Sequence, residues 1–461
     1  MTPSLTEKAQ RLYQGEALAP MVRASTTPLR ALALQYGADL VYTEELVDRA
    51  LLETIRVENQ VLQTVDYIKD TSKLSQKVQK RLAADGNRTP LLLRIDPTIE
   101  RGRLVCQLGT GEAELALSAA LHVKQDVDAF DINMGCPKKF SVSGGMGSAL
   151  LDDPERACRI VKTLRNHLDQ HPVSCKIRLL KDTQSTVDFV SGLVNAGAHA
   201  IAIHARRPGH DATEAADWKE LEQVVPLVRS KFPTLPLLIN GDFYTRQEFM
   251  DFQTKHGTSG VLLARPALYN CSIFRKPPPC TTETTDYSSY SYDSPLLLDK
   301  TTVIQDYLKQ SLRYNPHHKN VKYVITEMMT NRRTPTQRVP FMPHNFGGQQ
   351  TIGKTCNCKS LEDLCQLWNV KFSLYRHHRH GSQNEEDYAL PAGEHQYSDA
   401  YNLQGENDNV AGNVTSVVNG GDGGVGTSQM GSIYLATSNP PSTSKTIIDE
   451  PASKRPKVQV Q

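Results

Sequence analysis

From about residue 16 to residue 266 the sequence repeats one unit, a short apolar run followed by a segment of helix length. The runs are LAPMV (18–22), ADLVY (38–42), RLVCQ (103–107), AFDIN (129–133), VSCKI (173–177), AIAIH (200–204), LPLLIN (235–240) and GVLLA (260–264). Short runs this apolar, with little polar alternation, suit strands buried on both faces. Between them, EAELALSAALHVK (112–124) spaces its apolar residues by three and four, as an amphipathic helix does. Further helices are expected near 28–36, 154–168, 217–230 and 245–255, and a charged helical region after ADLVY. Eight such units in about 250 residues are the arithmetic of an α/β fold of the (β/α)8 TIM-barrel kind.

The rest of the chain changes character. Residues 69–92, KDTSKLSQKVQKRLAADGNRTPLL, read as a basic insertion, part helix and part loop. A linker rich in Pro, Ser, Thr and Tyr covers 276–296. Helical character resumes in TTVIQDYLKQSLRY and NVKYVITEMMTNRR, and more weakly over 360–374. Beyond about 380 the chain is Gly, Ser, Asn and Asp with few large apolar residues, too few to offset the entropy of ordering. The expected organisation is a catalytic barrel domain over 1–275, a linker over 276–296, a small α-helical domain over 297–380 and a disordered C-terminal tail over 381–461.

Fifty-two Lys and Arg balance 50 Asp and Glu, so any nucleic-acid surface must come from local clustering of charge. The nine cysteines show no zinc-knuckle spacing, since Cys356 and Cys358 are too close together and no second pair follows. No metal is expected, and free thiols suit a reducing compartment. No apolar run has membrane-spanning length. A cytoplasmic monomer is expected. SKRPKV (453–458) is a basic cluster of the nuclear-import kind, although such a cluster arises by chance about as often.

In a barrel of this kind the chemistry sits where strands end. Those ends carry Ala19, Pro20 and Met21, then Gln107, Asn133, Lys176 with Arg178, His204, Asn240 with Gly241, and Ala264 with Arg265. Charged and polar tips on apolar strands are unfavourable unless something pairs with them. A ring of them points to a polar ligand. Gly241 and Ala264–Arg265 fall where such barrels bind phosphate, and Arg265 adds a bidentate cation. A phosphate there with polar groups across the mouth suits FMN, with Lys176 facing the N1–O2 edge of the ring. No strand–GxGxxG–helix unit occurs, so a resident dinucleotide is not expected. Cys136, held between Gly135 and Pro137 beyond a strand end, reads either as a small residue sealing a turn or as a reactive thiol.

Taken together, LAPMVR (18–23), YTEEL (42–46), DINMGCPKK…SGGMGSALL (131–151), CKIR (175–178), HARR (204–207), NGD (240–242) and ARPALYN (264–270) resemble the tRNA-dihydrouridine synthases. The spacing is most similar to the eukaryotic subgroup acting on uridine 20 of the D-loop, over roughly 16–340. The resemblance implies reduction of the uridine C5–C6 bond, with FMN as cofactor and NADPH or NADH as reductant. It implies that Ala19, Pro20, Met21, Gln107, Lys176, His204, Asn240, Gly241, Asp242, Ala264 and Arg265 hold FMN, with Asp242 pointing its carboxylate away from the phosphate. Asn133 and Arg178 would orient the uracil, and Cys136 would be the general acid that protonates C5. An ordinary thiol, with a pKa of about 8.5, suits that task. Gly144, Gly145 and Gly147 would let the loop approach the nucleotide.

The target base must leave its stack, so the partner tRNA has to be gripped by its phosphates. Lys138, Lys139, Lys309, Arg313, Lys319, Lys322, Arg332 and Arg333 are the candidate contacts, with Arg206 and Arg207 after strand six. Members of the resembled subgroup often carry a double-stranded-RNA-binding domain, and no such pattern occurs in 381–461. The alternative enzyme is an FMN barrel acting on a free pyrimidine, as dihydroorotate dehydrogenases do. A Schiff-base aldolase using Lys176 and an inactive binding protein are the other readings.

Overall fold

The computed structural model describes residues 3–70, 89–210, 213–276, 297–330, 346–372 and 397–399, together with positions 72, 76 and 80. All lie in one compact unit, Met1–Asn409. Eight parallel strands close into a barrel: β1 (Gly15–Leu18), β2 (Leu40–Val47), β6 (Leu104–Gly109), β7 (Ala129–Met134), β8 (Val173–Arg178), β9 (Ala200–His204), β10 (Leu237–Asn240) and β11 (Gly260–Leu263). The last pairs back with the first, Leu18 against Leu263. The α/β barrel expected from the apolar runs is therefore present, with one displacement. Strand one ends at Leu18, because Pro20 has no amide to donate to a ladder. Ala19–Met21 thus forms a loop at the mouth.

Helices α1 (Leu5–Leu12), α2 (Thr27–Tyr36), α3 (Asp48–Leu52), α4 (Pro97–Glu100), α5 (Ala113–Val123), α6 (Lys139–Ser143), α7 (Pro154–His167), α8 (Thr183–Asn195), α9 (Trp218–Lys231), α10 (Arg246–His256) and α11 (Arg265–Tyr269) accompany the strands. Local chemistry sets their ends. At α7, Asp153 caps the Arg156 amide, Pro154 opens the first turn, and Arg165 and His167 lie in the last.

Of the charged helical region expected after strand two only the short α3 is present, followed by an antiparallel hairpin, β3 (Thr54–Asn59) and β4 (Thr64–Lys69), to which β5 (Thr89–Ile95) adds. Thr54, Ile55, Val57, Thr64, Val65, Tyr67 and Ile68 are β-branched or aromatic, and that preference outweighs the charges between them. The insertion expected over 69–92 therefore ends in a strand, and most of 71–88 lies outside the described residues. Across β4 and β5, Arg94 binds Asp66 with both residues buried (2.7 Å).

After the barrel come α12 (Lys300–Tyr314), α13 (His318–Met329), α14 (Ile352–Asn357) and α15 (Leu361–Leu367), packed around Ile304, Leu308, Val324, Met328, Leu364 and Trp368. Their seat is specific. Tyr36 on α2 donates to Asp306 (2.7 Å), and both Arg313 (2.8 Å) and Tyr314 (2.7 Å) bind Asp96. Arg94 donates to the Tyr314 carbonyl. At the mouth, the Arg23 guanidinium lies 4.5 Å from the ring centre of Tyr323. Most of the expected linker (277–296) and tail lies outside the described residues, apart from a three-residue strand, Tyr397–Asp399, parallel to Thr89–Leu91. Among the described residues no helix is long and apolar enough to cross a membrane.

Candidate active site

The barrel interior is lined low down by small residues, Ala17, Ala129, Ala200 and Ala202, and filled there by Tyr13 and Tyr42. Charge begins one layer higher. Asp131, fully buried, accepts from Gln107 Nε2 (2.8 Å) and from Ser174 Oγ (2.6 Å). Burial pushes its carboxyl up to about 6, against those hydrogen bonds and the nearby Lys176. Lys176 is in turn pulled down to about 8, by burial first and by Arg178 second, with Asp131, Cys136 and Glu45 opposing. Gln107 is thus a fixed strut between Asp131 and Asn133, whose Nδ2 lies 3.4 Å from Gln107 Oε1.

Asn133 builds the turn that carries the cysteine. Its Oδ1 accepts the amides of Gly135 (2.9 Å) and Cys136 (3.1 Å). The loop closes back on itself where Ser148 donates to the Cys136 carbonyl (2.9 Å). Gly147 has φ +59°, and a Cβ there would meet that carbonyl and Ser141 Oγ at 2.5 Å. The glycine is thus needed to seal the loop against Cys136. Cys136 is half-buried, while Lys138 and Lys139 beside it are exposed.

The thiol is a weaker acid than the sequence suggests. Burial pushes Cys136 up to about 11, with the neighbouring Glu45 adding to the rise. At neutral pH it is a proton-bearing thiol. Glu45 is 3 % exposed, with hydrogen bonds from Cys136, Asn133 and Ser141 Oγ (3.3 Å). Sequence reasoning missed it, along with Asp131 and Ser174. A carboxylate interrupting an apolar run, as in AFDIN or LVYTEELV, was the available signal.

Across the mouth, His204 faces Lys176, Arg178, Arg206 and Arg265, and burial together with these cations pushes its pKa well down. It is neutral, with Arg206 Nη1 3.3 Å from its Nε2. Asp242, at φ +53°, does not stand free. Its carboxylate accepts from Arg206 (2.6 Å), Arg265 (2.7 Å) and the Ala216 amide (2.8 Å). Arg206 is 1 % exposed, so it belongs to this network and not to an RNA surface, contrary to expectation. Arg207 is committed as well, to Asp217 (3.2 Å) and Glu220 (3.3 Å).

Gly241 and Asn240 are held from both sides. Trp218 Nε1 donates to the Gly241 carbonyl (2.9 Å), and Asn240 Nδ2 to the Leu262 carbonyl (2.7 Å). Ala264 opens α11 with no side-chain cap. On the β1 side the Ala19 amide is taken by Leu263 O (3.0 Å) and the Met21 amide by Ser25 Oγ (3.1 Å). Pro20 has no amide, so this loop offers a ligand carbonyls and side chains only.

Of the other tRNA candidates, Lys319 is exposed at the start of α13. Lys322 is tied down, donating to the carbonyls of Cys356 (2.9 Å) and Cys358 (2.8 Å) at the end of α14. Arg332 and Arg333 lie outside the described residues. No metal-holding group of His, Cys, Asp or Glu occurs among the described residues.

The chain matches the family model described as dihydrouridine synthase over residues 17–339. It is 36% identical over 315 residues to a Schizosaccharomyces pombe protein named tRNA-dihydrouridine(20) synthase [NAD(P)+], covering 68% of this chain and 59% of that one. It is 33% identical over 328 residues to the Saccharomyces cerevisiae protein of the same name, covering 69% and 78%. A third relative, the S. pombe tRNA-dihydrouridine(16/17) synthase, is 31% identical over 264 residues, covering 56% and 57%. The match thus spans less than two thirds of the length of the first and third of these relatives.

Proposed function

The chain belongs to the dihydrouridine synthase family, and on that premise we propose that it reduces the C5–C6 double bond of uridine to dihydrouridine in tRNA, at D-loop position 20, with NAD(P)H as reductant. The observation that carries this reading is the placement of Cys136 at a barrel mouth whose other side is cationic. A proton donor and a cluster of cations share one end of the barrel.

FMN fits that cationic side. Lys176, Arg178, Arg206 and Arg265 converge around a neutral His204, with one carboxylate, Asp242, between two of them. The uncapped start of α11 adds backbone donors beside Arg265. Gly241, at φ +127°, lies so close to Ala205 and Ala216 that a Cβ would touch both at 3.2 Å. Arg265, Ala264, Gly241 and Asn240 hold the phosphate end, with Asp242 orienting Arg265. Lys176, His204 and the Ala19–Met21 loop face the ring. Bound FMN supplies the hydride that C6 receives.

The remaining chemistry belongs to the chain. Arg178, whose stem lies against Gly135, orients the uracil, while Asn133 holds the turn of Cys136. The Cys136 thiol gives its proton to C5, for which it must be protonated beforehand, and a value of about 11 ensures that at neutral pH. Exposed Lys138, Lys139 and Lys319 meet phosphates of the tRNA around the flipped nucleotide.

The test is direct. Purified protein should be yellow, and an unmodified tRNA transcript incubated with it and NADPH should acquire dihydrouridine at position 20. Reduction of free orotate with no action on tRNA would instead favour a free-pyrimidine enzyme.

A further inference from the structure

Strand β2 carries one extra residue opposite β6. Tyr42 pairs with Val105 and Glu45 with Gln107, an advance of three residues against two. Such a bulge at a barrel rim re-aims a side chain. In an unbroken strand Glu44 would share the inward face of Tyr42. With the bulge, Glu44 turns to cap the Arg23 amide (2.5 Å) and Glu45 enters the site.

The carboxyl group of Glu45 is then buried among side chains, with 3 % of the residue left exposed. Ser141 Oγ lies at 3.3 Å, Cys136 and Asn133 hydrogen-bond to it, and it packs so tightly on β6 that a Cβ at Gly109 would meet Oε1 at 2.7 Å. Lys176 faces both members of this pair, and Arg178 faces Cys136. Burial of a carboxylate against a thiol raises the affinity of both groups for protons.

We propose that Glu45 is a positioning residue acting through Cys136, and that its carboxyl group returns a proton to the Cys136 thiolate after each turnover. The S–H bond breaks as C5–H forms. The Glu45 O–H bond then breaks as S–H re-forms, and the carboxylate regains its proton from water. The hydride at C6 comes from NAD(P)H through the bound cofactor, as above. This inference rests on the reading of Cys136 as the acid.

The test compares wild type with Glu45→Gln, which keeps the shape and the hydrogen-bond acceptor but cannot carry a proton. Cys136 alkylation by iodoacetamide, followed at the peptide level between pH 7 and 9.5, reads the thiol without cofactor or substrate. In wild type the rate should climb about tenfold per pH unit with no plateau. In Glu45→Gln it should be roughly tenfold faster at pH 8, because one unit of pKa is one decade of thiolate. In turnover the variant should form its first dihydrouridine per enzyme at close to the wild-type rate, then continue about tenfold more slowly, with reduction of bound flavin by NADPH unchanged. Glu45→Asp should recover part of the steady-state rate.

Identical alkylation profiles in wild type and Glu45→Gln would overturn the inference. Should the variant not fold, the wild-type profile decides alone, and a plateau near the ordinary thiol value of about 8.5 refutes it. Failure of the underlying reading looks different. Cys136→Ala would then turn over normally, whatever the alkylation data showed.

Discussion

Asn133 holds Cys136 by its backbone, accepting that residue's amide at 3.1 Å while also accepting the amide of Gly135 at 2.9 Å. An asparagine whose oxygen closes the turn aims the thiol more than it grips a base. Asn133→Ala should therefore lower kcat by about a hundredfold, the scale expected for a misplaced reacting group, and leave KM for tRNA nearly unchanged. Asn133→Asp keeps the oxygen and should retain more activity. Steady-state kinetics on a tRNA transcript checks both.

Asp242 bridges two arginines of unequal burial. The Arg206 side chain is 2 % exposed and that of Arg265 is 29 % exposed. Removing the carboxylate leaves Arg206 buried without its partner, so Asp242→Ala should destabilise the protein by about 3–5 kcal/mol in urea unfolding. Arg265→Ala should cost little stability and should weaken FMN retention, read as loss of flavin absorbance on gel filtration.

Lys176 gives a pH dependence with a definite sign. Its pKa is lowered to about 8 in the folded chain. Between about 8 and its ordinary value of about 10.4 the unfolded chain binds more protons, so stability should rise with pH across that window. FMN, an anion, favours the charged lysine. Its affinity should hold steady below pH 8 and fall above it, and Lys176→Met should remove that fall in a fluorescence titration.

Lys138 and Lys139 are exposed within three residues of Cys136. Replacing both by Glu should raise KM for tRNA and flatten the salt dependence of binding, by about one slope unit for each phosphate no longer neutralised. Flavin reduction by NADPH should be unaffected.

The barrel was legible because most of its strands fall on short apolar runs, although β1 meets its run only at Leu18 and β2 continues through Thr43, Glu44 and Glu45. The hairpin Thr54–Lys69 was not. In TIRVENQVLQTVDYIK, charges fall at irregular intervals on a sheet with one wet face, and its β-branched residues decide the outcome only when β5 returns to pair with it. Strand ends located Lys176, His204 and Cys136, since polar tips on apolar strands stand out. Glu45 could not be placed that way, because alternation along β2 points to Glu44 and only the bulge reverses them. Arg206 misled for the opposite reason. HARR looks like a basic surface patch, and its burial depends on Asp242, thirty-six residues away in sequence.

On the proposed reading, Cys136 supplies the C5 proton in flavin-dependent reduction of tRNA uridine. The most direct measurement is a single anaerobic turnover, in which FMN-loaded wild type and Cys136→Ala are each reduced with one equivalent of NADPH and mixed with unmodified tRNA. Wild type should yield one dihydrouridine per flavin reoxidised. Cys136→Ala should accept the reducing equivalents equally fast, then keep its flavin reduced and form almost no dihydrouridine. Dihydrouridine from the variant at the wild-type rate would rule out Cys136 as the acid, and none from wild type would rule out the reaction itself.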